Sequence, residues 1–232
     1  MLGNDVVDLL DPESRPDSFR PRFDARVYTA EERRLIATDP RSLARRWAHW
    51  AAKEAAYKLA KQVDDAVIFA PSKLVARFEP VSNLRGRRLE RRGQLEWPGT
   101  PAFGLQTLEL RSFETDARVH VVALPAGSDW GAVDSRVEEI DPERDDPRET
   151  VRALAVREIA LRLGVAPDRL RIGRRGRIPT VELDGTRTSL SLSLSHHGRW
   201  VGYAMTPPID AAMEAQTDAG WIDSRAGRAT AE

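Results

Sequence analysis

The chain has 232 residues, 41% hydrophobic and 31% charged, and its 36 basic residues balance 36 acidic ones to a net charge of zero. Such a composition supports one large packed domain or two smaller ones sharing an interface, and it excludes a broadly disordered chain. Zero net charge implies no global attraction to nucleic acid or anionic membrane, and the absence of cysteine removes disulfides, thiolate metal sites and cysteine nucleophiles.

The opening stretch, MLGNDVVDLLDPESRP, turns acidic within a few residues and has no basic segment or long apolar run, so it does not read as a signal peptide. No stretch approaches the roughly 18 apolar residues of a membrane span. A soluble cytoplasmic protein is expected. Residues 3–10 read as a short apolar strand, broken by Pro12 and Pro16. Thr29 ahead of Glu31 and Glu32 reads as a helix N-cap with acids in the first turn. Ser42 is expected to cap a longer helix reaching about residue 62, with Leu43, Trp47, Trp50, Ala51 and Leu59 near helical spacing.

Residues 73–78, 105–111 and 118–124 alternate or carry β-branched side chains and read as strands. Between them, residues 83–92 form a basic loop centred on RGRRLERR, either a solvated hairpin tip or a patch for an anionic partner. Residues 126–147, polar and acidic with Gly127, Gly131, Pro142 and Pro147, are the expected linker. A second helix is expected over 148–163, its apolar stripe at Val151, Leu154, Ala155, Ile159 and Leu163, with Gly164 as C-cap. Strands follow at 169–172, 180–183, 189–194 and 200–205, and the tail, 208–232, is expected to fray. The order describes an α+β protein in two halves, 1–125 and 148–207, each a long helix with strands.

Three segments carry chemistry. Gly3-Asn4-Asp5 puts an acid at a strand start, where it can reach a metal or a phosphate or simply form an Asx turn. On the helix WAHWAAKEAAYKLAK, residues Trp47, Trp50, Glu54, Lys58 and Lys61 form one continuous stripe. Either Glu54 and Lys58 are an i,i+4 pair, worth about 0.3–0.5 kcal/mol, or they floor a site in which Glu54 meets a cation and Lys58 a phosphate. The choice of lysine in an arginine-rich chain hints at a compact ammonium: only Lys53, Lys58, Lys61 and Lys73 are lysines. The third segment, SLSLSLSHHGRWVGYAM, is a strand with one polar face running into a turn that displays Ser195 and His196. Hydroxyl and imidazole could grip a phosphate. A Ser–His nucleophile pair is disfavoured without a G-x-S-x-G elbow, and a zinc site lacks a third ligand.

Together GNDVVDL, WAAKEAAYK and SLSLSHHGRWVGYA resemble the 4′-phosphopantetheinyl transferase superfamily, whose hallmarks are a G-x-D strand start, a W/F-x-x-K-E-A-x-x-K helix and an S-x-S-H segment. The length is similar to the larger, surfactin-synthetase-activating type, which fuses two units around one site. The motif order is that of the smaller holo-acyl-carrier-protein synthase type. The resemblance implies an α+β fold of two similar subdomains related by a pseudo-twofold axis, acting as a monomer, and transfer of 4′-phosphopantetheine from coenzyme A to a serine of an acyl or peptidyl carrier protein.

By the same resemblance Asp5 and Glu54 are the Mg²⁺ ligands, and Glu54 and Lys58 the catalytic pair. Lys53, Lys58, Ser195, His196 and Arg177 bind coenzyme A, and Arg22 and Arg26 meet the carrier. The larger type often has a further acid where this chain has Val7, and Asp8 should point to the opposite strand face. Where the family usually shows G-K-P, Arg177 and Ile178 precede Pro179. Two other readings are a non-catalytic coenzyme A or carrier-protein binder, against which the intact Asp5, Glu54 and Lys58 weigh, and an anion- or nucleic-acid-binding module, against which zero net charge weighs.

Overall fold

The computed structural model of the protein describes residues 1–79, 83–85, 88–98 and 106–206. The tail 208–232 and residues 86–87 of the arginine-rich segment lie outside the described residues. In chain order the elements are β1 (Gly3–Asp8), α1 (Phe23–Val27), α2 (Ala30–Thr38), α3 (Ser42–Val63), β2 (Val75–Phe78), β3 (Asn83–Arg85), β4 (Arg88–Trp97), β5 (Gln106–Glu114) and β6 (Arg118–Pro125). There follow β7 (Asp134–Glu139), α4 (Pro147–Leu163), β8 (Leu170–Arg175), β9 (Ile178–Leu183), β10 (Thr186–Arg187), β11 (Ser191–His197) and β12 (Trp200–Thr206). All the strand pairings are antiparallel, in sheets ordered β1-β6-β5-β4-β2 with β3 on β4, β10-β9-β8 and β11-β12-β7. The fold is α+β.

The helices start and stop for local reasons. Thr29 Oγ1 accepts from the Glu32 amide at 3.2 Å while Glu32 Oε2 accepts from the Thr29 amide at 2.8 Å, a reciprocal cap for α2. Ser42 is the first residue of α3 rather than its cap; that position belongs to Arg41, which makes no side-chain cap. Asp146 caps α4 through the amides of Arg148 and Glu149, Pro147 starts it, and Gly164 ends it at φ 65°.

The long helix α3 is rich in alanine, the best helix former. Its buried face carries Ala48, Ala51, Ala52, Ala55 and Ala56. Small side chains there let β1 lie directly on the helix, with Val7 of β1 in the same core as Leu59, Leu95, Leu110 and Val121. A second core holds Ile140, Leu154, Ile159, Leu192 and Tyr203 under α4. A small third cluster, Leu2, Val122, Leu124 and Ala204, packs Leu2 and β6 against β12. Among the described residues no helix is long and apolar enough to cross a membrane.

Two expectations are corrected. The stretch 126–147 is not all linker, because Asp134–Glu139 forms β7 and pairs with β12 from Met205 to Trp200. The basic segment 83–92 is not a loop throughout: its second part belongs to β4, and Arg91 turns inward to Glu114 at 3.2 Å and Asp39 at 3.3 Å.

Candidate active site

Strand β1 is clamped between α3 on one face and the β11–β12 hairpin on the other, and this decides where each of its polar residues goes. Asn4 and Asp8 face the hairpin. Asn4 N donates to Ser193 Oγ at 2.9 Å, and Asp8 N donates to His197 Nδ1 at 3.2 Å. The Asp8 carboxylate is buried and accepts from Arg199 Nε at 3.0 Å, Arg199 Nη2 at 3.2 Å, the Arg199 amide at 3.1 Å and the Leu10 amide at 2.9 Å. Burial alone would raise its pKa, but these hydrogen bonds outweigh it and hold Asp8 below the usual carboxylate range. Asp8 ties β1 to the turn between β11 and β12, on the opposite strand face from Asp5.

Asp5 faces α3. Its Oδ1 accepts from Lys58 Nζ at 2.8 Å, and the same ammonium donates to the Asn4 carbonyl at 3.0 Å. Glu54, one helical turn before Lys58, is close enough to feel both. Burial first, and then the Asp5 charge, push the Glu54 carboxyl up to about 7 against the pull of Lys58. Two carboxylates and one ammonium therefore converge on one spot, with a carboxyl poised near neutrality. Among the described residues no three His, Asp or Glu side chains form a metal cluster on their own.

A groove runs from this spot. Its near section is lined by Glu54, Tyr57, Lys58, Lys61, Arg177, Pro179, Ser193 and Leu194. The far section shares Arg177, Pro179 and Leu194 and adds Arg148, Arg152, Arg174 and His196. Volumes of about 240 and 370 Å³ give room for an extended nucleotide-sized ligand rather than a single ion. Arg177 reaches both sections from the two-residue turn between β8 and β9, where Gly176 takes φ 60°, a backbone that favours glycine. Burial, then Arg148 and Lys58, hold the His196 imidazole below its ordinary pKa.

Asp5, Glu54, Lys58, His196 and Arg177 are thus brought together, and two other expected residues are not. Lys53 is fully buried on a different side of α3, where its ammonium donates to Glu32 Oε2 at 2.8 Å, the Val27 carbonyl at 2.8 Å and the Pro71 carbonyl at 2.9 Å. Burial pulls its pKa down and Glu32 pulls it back. All three ammonium hydrogens are taken, so it ties α2 and the loop before β2 to α3 and has no donor for a ligand. Ser195 is also buried, and its hydroxyl donates to the Gly202 carbonyl at 3.3 Å. Residues 195–197 remain on β11 rather than in a turn, so alternation sends Ser195 and His196 to opposite faces.

Arg22 and Arg26 are exposed at the start and in the body of α1. Their neighbour Phe23 lines a cleft with Phe19, Trp47, Trp50 and His197, on the same α3 stripe that leads to Glu54. The arginines Arg148, Arg152 and Arg174, missed in the sequence, are hidden there by the abundance of arginine. A weak signal existed: Arg148 and Arg152 are spaced i,i+4 on one helix face.

No curated protein and no solved structure matches the chain significantly. Residues 1–88 match the family model of the 4′-phosphopantetheinyl transferase superfamily, a span that holds Gly3, Asp5, Glu54 and Lys58. Over this first part the chain is similar to the 4′-phosphopantetheinyl transferase superfamily.

Proposed function

We propose that the protein moves the 4′-phosphopantetheine arm of coenzyme A onto a serine of an apo acyl or peptidyl carrier protein, with Mg²⁺ held by Asp5 and Glu54 and adenosine 3′,5′-bisphosphate leaving. The reading is carried by one observation: Asp5, Glu54 and Lys58 meet at one end of a groove whose other end is walled by Arg148, Arg174, Arg177 and His196. The similarity of residues 1–88 to the superfamily supports a transferase of this type.

The donor set fits Mg²⁺. Burial first, and then repulsion from Asp5, push the Glu54 carboxyl up to about 7, and a divalent cation held by the two carboxylates would offset both. Two protein oxygens also suit an ion that takes its remaining ligands from water and substrate phosphates. When bound, the ion neutralises charge on the diphosphate.

The chain's own groups supply the rest. Lys58 Nζ, already aimed between β1 and the groove, places a point charge at the diphosphate and at the leaving bisphosphate. Arg148, Arg174 and Arg177 with His196 hold the nucleotide end by its 3′-phosphate. The Glu54 carboxylate takes the proton of the carrier serine as its oxygen attacks the β-phosphorus. Positioning and charge neutralisation do most of such a transfer. Arg22 and Arg26, exposed beside the aromatic cleft, face an acidic carrier surface.

The same reading makes the chain a monomer with a pseudo-twofold axis. What supports it is the element order: β1, α3, β2, β4, β5, β6 in one half and β7, α4, β8, β9, β11, β12 in the other. β1 pairs β6 as β7 pairs β12, and β5 pairs β6 as β11 pairs β12. Asp5→Asn and Glu54→Gln are the test. Each should lower transfer at least about a hundredfold while coenzyme A still binds; full activity in either variant would remove its assignment.

A further inference from the structure

The S-L-S-L-S run offers the groove a hydroxyl, and it is Ser193 rather than Ser195. Ser193 lies on the wall of the near section with Glu54, Lys58 and Arg177. Its Oγ accepts from the Asn4 amide at 2.9 Å, and among the described residues its hydroxyl hydrogen meets no acceptor. A hydroxyl has one donor and two acceptor positions. The buried Asn4 amide fixes one acceptor position, so the donor is left for whatever occupies the cavity.

The same contact is tied to the chemistry through Asn4. This residue is fully buried and joins three elements. Its amide reaches Ser193 on β11, its carbonyl receives Lys58 Nζ from α3 at 3.0 Å, and its side-chain Nδ2 lies 3.3 Å from His120 Nε2 on β6. Asp5 is the next residue. Ser193 therefore comes from one half of the chain and is held in register with the carboxylate and the ammonium of the other.

We propose that Ser193 is a binding residue of the groove, donating its hydroxyl to a phosphate oxygen of the coenzyme A diphosphate beside Lys58. This rests on the functional reading above. A negatively charged acceptor makes such a bond stronger than a neutral one, and the serine itself brings no charge that must leave water.

The test uses the full chain and isothermal titration with coenzyme A and, separately, with adenosine 3′-phosphate, which keeps the nucleotide end and lacks the diphosphate. Ser193→Ala should weaken coenzyme A binding about tenfold or more and leave adenosine 3′-phosphate binding unchanged. Ser193→Thr, which keeps the hydroxyl, should restore coenzyme A binding. Equal coenzyme A affinity in wild type and Ser193→Ala would overturn the assignment. So would parallel weakening of both ligands, because that is how a general loosening of the Asn4 contact would read. If wild type itself binds no coenzyme A, the functional reading fails before the serine is tested.

Discussion

A β-carbon on Gly3 would lie 1.9 Å from the carbonyl oxygen of Ala55. No side chain fits there, so the glycine of the G-x-D segment is a spacing device: it lets β1 touch the backbone of α3 and so brings Asp5 within 2.8 Å of Lys58. Gly3→Ala should force strand and helix apart, costing about 1–3 kcal/mol of stability and lowering transfer more than the loss of folded protein explains. Urea denaturation with transfer rates on the folded fraction checks this. A neutral substitution would contradict the close approach.

Two lysines of α3, five residues apart, should behave in opposite ways. Lys53→Met strands the Glu32 charge in a site where both side chains are essentially unexposed, and should cost about 3–5 kcal/mol. Lys58→Ala breaks a pair that is 29% and 13% exposed, and should leave stability within about 1 kcal/mol while transfer falls about a hundredfold or more. Denaturation midpoints beside transfer rates separate the two roles.

Arg148 and Arg177 line the far section of the groove; if they hold the 3′-phosphate as proposed, Arg148→Ala and Arg177→Ala should each raise KM for coenzyme A about tenfold or more and leave KM for 3′-dephospho-coenzyme A unchanged. Equal effects on both substrates would move these arginines to another part of the ligand.

Stability should fall in mild acid. Burial lowers His49 and His120 to about 3, while an unfolded histidine titrates near 6.5. Below about pH 6.5 the unfolded chain therefore gains protons that the folded one refuses. The stabilisation is complete above that pH and is lost as pH falls toward the folded value, at about 1.4 kcal/mol per pH unit for each histidine. His120→Asn should flatten the slope of unfolding free energy between pH 6 and 4.5; an unchanged slope would show that His120 does not contribute.

The sequence made the meeting of Asp5, Glu54 and Lys58 legible because they sit in short motifs whose spacing survives folding: a strand start, and a helix face on which Glu54 and Lys58 are one turn apart. It misplaced Lys53, although one residue along a helix is a rotation of about 100° and sets Lys53 on a different face from Glu54. It likewise paired Ser195 with His196, which a strand's period of two sends to opposite sides. The capping box of α2 and the Gly164 cap of α4 were readable because their signals are local. Strand β7 was hidden because DSRVEE is polar and becomes a strand only through pairing with the distant β12. The arginine wall of the groove was invisible for a related reason: Arg148 and Arg174 come from different elements, and nothing in their local sequence marks them out from the other arginines.

The most direct measurement is intact-mass spectrometry of an apo acyl carrier protein incubated with the protein, coenzyme A and Mg²⁺, beside an EDTA control. The expected result is a carrier heavier by one phosphopantetheine, with the gain abolished by EDTA and by Asp5→Asn. Unmodified carrier across fatty-acid, polyketide and peptide types, with coenzyme A binding intact, would contradict transfer and leave a binder.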